Sequence, residues 1–137
     1  MRKLFLLLFL LCAPSVFAQN TSGCFLPNAS LTVYAFEQIT VSTTSVPFTA
    51  SVYTRTGQQP LVPAVLAIVS TETDNLRYRV DGIAPTSSVG HQLYAASTTS
   101  GSTVMVCGMQ NIQKFRMIRS GSSDVTVTVS YYLVPTQ

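Results

Sequence analysis

Tryptophan is absent from this chain, histidine occurs once, and charge is scarce: eight Lys and Arg and five Asp and Glu in 137 residues. Each shortage removes a class of function. Without an indole there is no strong ring platform for stacking a sugar. One histidine, His91, rules out a multi-histidine metal centre, and with two mature cysteines lacking a CxxC spacing it makes a poor zinc site. The five acids are Glu37, Glu72, Asp74, Asp81 and Asp124. Glycoside hydrolysis needs two carboxylates facing each other across a substrate. Here Glu72 and Asp74 fall in one turn, and Asp81 and Asp124 sit at strand or turn ends. Asp81-Gly82 lacks the further oxygen ligands of a calcium loop. There is no GxSxG elbow for a serine nucleophile. No metal or cofactor is expected, nor is an enzymatic activity.

What is present begins with MRK, the apolar run LFLLLFLL, and CAPSVFAQ, with Val16 and Ala18 before a cut between Ala18 and Gln19. That order is a Sec-type signal peptide. The apolar run is far shorter than the ~20 residues of a membrane span. The expected organisation is a cleaved leader, residues 1–18, and a single β-rich domain, residues 19–137. Without Arg2 and Lys3 the formal net charge falls from +3 to about +1. No basic block remains for nucleic acid, and no membrane anchor after cleavage. The expected location is exported: periplasmic, extracellular or surface-associated. Cys12 leaves with the leader, so Cys24 and Cys107 remain as an even pair in an oxidising compartment. A bridge between them closes a loop of about 80 residues and stabilises the fold by roughly 3–4 kcal/mol. Asn20 and Asn28 begin glycosylation sequons, which matter only in a eukaryotic host.

Apolar positions alternate with period two, which predicts strands. In DVTVTVSYYLV, Val125, Val127, Val129 and Tyr131 share one face, and Asp124, Thr126, Thr128 and Ser130 the other. SLTVYAFEQITVS, SVPFTASVYT, LRYRV and STVMVC read as further strands. LVPAVLAIVST, almost wholly apolar, reads as a central strand covered on both faces. Residues 112–119 are predicted as a strand joined to the last one in a hairpin, and no helix is predicted in the mature chain. The fold class is therefore all-β: a β-sandwich, jelly-roll or immunoglobulin-like, of about seven or eight short antiparallel strands, with a small β-barrel as the second choice.

The chain's middle, RYRVDGIAPTSSVGHQL, brings Asp81, Ser87, Ser88 and His91 close in sequence and so raises a hydrolase question. The simpler expectation is a shaped connector. Asp81-Gly82 makes the turn, Pro85 fixes a backbone angle, Thr86 bonds the local backbone, Gly90 permits an unusual conformation, and His91 opens the next strand. Arg77 and Arg79 lie on one strand face. With Lys114, Arg116 and Arg119 on a neighbouring segment they form the one candidate binding face.

Two segments carry a family resemblance. The first is RYRxDGxxPTxxxGHxL, through Arg77, Tyr78, Arg79, Asp81, Gly82, Pro85, Thr86, Gly90, His91 and Leu93. The second is NIxxFRxIRxG, through Asn111, Ile112, Phe115, Arg116, Ile118, Arg119 and Gly121. With the alternating strand that follows, they cover about half of the chain and resemble a group of small tailed-phage structural proteins of the virion. The resemblance implies a β-rich assembly or decoration module without catalysis. A protein partner or self-association is then expected. The runner-up is a secreted adhesin-like domain that binds a glycan or surface, for which Tyr34, Tyr53, Tyr94 and Tyr132 would have to cluster in the open.

Overall fold

The computed structural model describes residues 30–55, 63–95 and 102–135. Seven strands form two antiparallel sheets, with two short helices between them. The strands are β1 (Thr32–Val41), β2 (Leu66–Thr71), β3 (Leu76–Arg79), β4 (His91–Leu93), β5 (Thr103–Cys107), β6 (Arg116–Arg119) and β7 (Val125–Leu133); the helices are α1 (Ala50–Tyr53) and α2 (Met109–Lys114). Sheet A has the order β1-β7-β2-β5 and sheet B the order β4-β3-β6. The two pack face to face without closing into a barrel, so the fold is an all-β, sandwich-like one. The expected leader, Cys24, Asn20 and Asn28 lie outside the described residues.

β7 sits inside sheet A because its sequence offers one complete apolar face. Val125, Val127, Val129, Tyr131 and Leu133 are buried, and the residues between them are half-buried. β2 pairs with it through Ala67↔Tyr131, Val69↔Val129 and Thr71↔Val127, which puts all six side chains on the inner face. On the other side β1 aligns Val41↔Val125 and Ile39↔Val127. The register slips between Val33 and Ala35, a bulge that makes room for Tyr34. LVPAVLAIVST does yield a central strand, but sheet B covers only its inner face, and Ile68 and Ser70 on the outer face are half-buried; Glu72 to Asn75 form the turn into β3.

Two strand expectations fail for identifiable reasons. In SVPFTASVYT only Val46 keeps a strand role, exchanging backbone bonds with Met117 of β6 at 2.9 and 3.0 Å. Pro47 cannot donate the next ladder bond, and Phe48 turns into the core before α1. The segment expected as one strand over 112–119 instead starts as α2. Ile112 and Phe115, three apart, are both fully buried, a helical spacing rather than a strand one. Nor do β6 and β7 form a hairpin. β6 belongs to sheet B, where it pairs with β3. Its exit is tied elsewhere: the Arg119 N–H donates to the Ser42 carbonyl at 3.1 Å and the Ser120 N–H to the Asn75 carbonyl at 3.1 Å. The chain therefore steps from one layer to the other between Arg119 and Val125.

A column of rings joins the layers. Tyr131 on sheet A meets Phe48 edge-on at 5.8 Å. Phe48 stacks on Phe115 at 4.4 Å, and Phe115 stacks on Tyr78 of sheet B at 5.3 Å. Such pairs add roughly 0.5–1.5 kcal/mol each beyond their buried area. Phe115 is the middle of the column and fully buried. Phe115→Ala is expected to cost about 3–5 kcal/mol in urea unfolding, whereas Phe36→Ala, on the outer surface, should cost well under half of that.

Candidate functional site

The connector between β3 and β4 is held by its own polar groups. The Arg77 guanidinium donates from Nε to the Ser87 carbonyl at 2.8 Å and from Nη1 to the Gly90 carbonyl at 2.9 Å. Thr86 Oγ1 accepts the N–H groups of Ser88 (3.3 Å) and Val89 (3.0 Å), and Thr86 and Val89 exchange backbone bonds. Pro85 is buried beneath them. Gly90 has φ +131°, and a Cβ there would lie 3.0 Å from the Tyr78 carbonyl oxygen and 3.2 Å from Pro85 Cβ. Neither the angle nor the space admits a side chain easily. His91 is exposed and tilts over the Tyr78 ring at 5.3 Å, the outer end of the aromatic column.

At the other end of the turn, the Arg79 guanidinium donates to both carboxylate oxygens of Asp81, one of which also accepts the Ile83 N–H at 3.1 Å. The Arg79 hydrogen bonds hold the Asp81 carboxyl at about 2, below its ordinary value. Burial pushes the Tyr78 hydroxyl upward.

The Asp81, Ser87 and His91 suggested by proximity in sequence do not converge. His91 opens onto a cleft of about 330 Å³ lined by Arg79, Val80, Asp81 and Gly90. Ser87 lines a different cleft, with Thr43, Pro85, Thr86, Ile118, Arg119 and Gly121. The carboxylates are also dispersed, and each has its own donor. Glu37 accepts from the Tyr131 hydroxyl and the Thr49 N–H, Glu72 from the Thr128 hydroxyl, Asp74 from the Asn75 N–H, and Asp124 from Arg119. Among the described residues no group of three or more His, Cys, Asp or Glu is placed to hold a metal ion.

The basic face is partly as expected. β3 and β6 are neighbours, and Arg79 lies opposite Arg116 and Arg77 opposite Ile118, so these arginines share the outer face of sheet B. Lys114 lies beside them, its Cγ 3.6 Å from where a Cβ on Gly82 would stand. Arg119 is a correction to that grouping. It pairs with Leu76, one step out of phase, and reaches instead to Asp124 at 2.8 Å. Arg116 also turns inward on its own chain, donating to the carbonyls of Gln113 and Phe115 at 2.9 and 2.8 Å. Three arginines on this face thus already have acceptors, which leaves Lys114 as its outward-directed charge.

Tyr34, Tyr53, Tyr94 and Tyr132 do not form an exposed cluster. Tyr53 is buried; Tyr34 donates to the Tyr53 carbonyl at 2.7 Å under the Arg55 guanidinium; Tyr94 follows β4; and Tyr132 lies on β7. Burial raises the Tyr34 hydroxyl to about 12.

The feature not anticipated from sequence is the outer face of sheet A. Register lines up Phe36, Ser130, Ile68 and Met105 in one row and Val33, Tyr132, Leu66 and Cys107 in the next. Val33, Phe36 and Met105 are 52, 62 and 62 % exposed. The signal available was alternation in β1, where Ala35, Glu37, Ile39 and Val41 point inward and leave Phe36 outside. An acid on the inward side obscures that pattern. No family model matches the chain, and neither does a curated protein or a solved structure.

The Asp81 contact gives a pH signature. Because the folded carboxyl is lowered, its contribution is complete above the ordinary value of ~3.9 and is lost as the pH falls through about 2. An NMR titration of the Asp81 carboxyl should show a midpoint near about 2 in the native protein and close to ~3.9 in Arg79→Gln.

Proposed function

We propose that this chain is a non-catalytic, exported structural or binding module that works by surface contact, with small tailed-phage virion proteins as its likeness. Its partner is another protein or a second copy of itself. The observation that carries this reading is the outer face of sheet A. Three large apolar side chains, Val33, Phe36 and Met105, stand mostly in water there, in rows continuous with Ile68 and Tyr132. About half of each side chain is still exposed, so covering it contributes roughly 1–1.5 kcal/mol apiece, and a partner on this face gains without any charged contact.

The two resemblance segments support the same reading. Arg77, Asp81, Thr86 and Gly90 hold the connector, and Ile112 and Phe115 fill the core. A segment used for geometry suits an assembly domain better than a substrate site. A Cys24–Cys107 staple and delivery through the leader belong to the same proposal. Cys107 ends β5, half-buried, at the rim of the apolar rows.

Sedimentation velocity of residues 19–137 over a wide concentration range is the test. The expected result is a reversible, concentration-dependent association that Phe36→Ser and Val33→Ser weaken together. A monomer at every concentration that shifts only on adding a saccharide would favour the adhesin-like reading instead, with exposed Tyr94 as the contact.

A further inference from the structure

We propose that the association surface includes the open edge of β5, and that its occupant is β5 of a second copy, paired antiparallel about a two-fold axis at Met105. This inference rests on the assembly reading above and specifies its geometry.

The ladder phase comes from two backbone bonds. The Gly108 N–H donates to the Val65 carbonyl at 2.8 Å, and the Glu72 N–H to the Thr126 carbonyl at 2.9 Å. Antiparallel pairs alternate between bonded and non-bonded. The bonded pairs between β2 and β5 are therefore Ala67 with Val106 and Val69 with Val104. Thr103, Met105 and Cys107 consequently turn their N–H and C=O groups away from β2. The Cys107 carbonyl accepts Asn111 Nδ2 at 2.8 Å. Among the described residues, nothing pairs with the N–H and C=O of Met105.

Other sheet edges carry features that discourage pairing. β1 has a bulge at Val33 and an inward acid, Glu37. β4 is three residues long, and β6 is flanked by the Val46 bridge. β5 has no charge, no proline and no bulge.

The strand also fits itself. Its sequence is Thr-Val-Met-Val-Cys. On a two-fold axis at Met105, Val104 faces Val106 of the second copy, both on the core side. Met105 faces Met105, on the side where each copy already places Ile68. Ile68 and Met105 of one copy then run directly into Met105 and Ile68 of the next. Such an isologous contact closes at a dimer, and β5 itself brings no charge to it.

The test uses residues 19–137 with Met105 replaced. Wild type is expected to sediment as a dimer. M105D and M105K should each be monomeric, with at least about tenfold weaker association, because like charges meet at the axis. An equimolar mixture of M105D and M105K should restore the dimer. Thermal unfolding of each variant, close to that of wild type, shows that the sandwich itself is intact. If M105D associates as wild type does while Phe36→Ser abolishes association, the edge proposal is overturned and the outer-face reading stands. If the mixture stays monomeric, the axis at Met105 is wrong. If wild type itself never associates, both self-association and the edge fail together.

Discussion

Everything in this fold depends on how two sheets that share no ladder are held against each other. Neither sheet is large: one has four strands and the other three. The contact between them is the inner apolar face, and its spine is the column from Tyr131 through Phe48 and Phe115 to Tyr78. Two of these rings, Phe48 and Phe115, lie outside any strand. They come from segments where the backbone leaves the ladder, after Pro47 and at the end of α2. The irregular segments are thus what fill the gap between the layers, and the lost strand length is offset by buried ring area.

The same column explains the connector. Tyr78 presents one side of its environment to Phe115 and another to His91. For that to happen the connector over residues 80–90 must fold back on itself and lay His91 directly opposite Tyr78. Arg77 makes this turn by gathering two carbonyls that the loop would otherwise leave to water, and Gly90 supplies the close approach to the Tyr78 backbone. The only histidine of the chain is accordingly a ring that caps a core column, beside an ion pair that fixes the preceding turn.

Much of this was legible in the sequence, and the failures have physical causes. The period-two pattern located β1, β3, β5 and β7, the apolar run LVPAVLAIVST located β2, and the connector roles of Asp81, Thr86 and Gly90 followed from residue type. Pattern alone could not tell which sheet a strand joins. The Arg116–Arg119 strand looks like half of a hairpin with its successor, yet bonds from Arg119 to Ser42 and from Ser120 to Asn75 send it to the other layer. Arg119 left the basic face for a different reason: it stands three residues from Arg116 on one strand, and an odd spacing puts two side chains on opposite faces. Phe48 and Phe115 were read as strand residues because a short apolar run does not reveal whether it pairs or packs. The exposed rows on sheet A were hidden by Glu37, an acid facing inward because the Tyr131 hydroxyl and the Thr49 N–H receive it.

The buried ring column is the main tie that makes the two sheets a single cooperative unit, with a few backbone bonds at the margins such as Arg119 to Ser42, and the surfaces left over are available for contact. Native-state hydrogen exchange tests it most directly. Amides in β7 of sheet A and in β3 and β6 of sheet B should exchange with the same, globally limited opening free energy, although no ladder bond joins the sheets. If the sheet B amides open at a separate, distinctly lower free energy while β7 stays protected, the two layers fold independently and the account is contradicted.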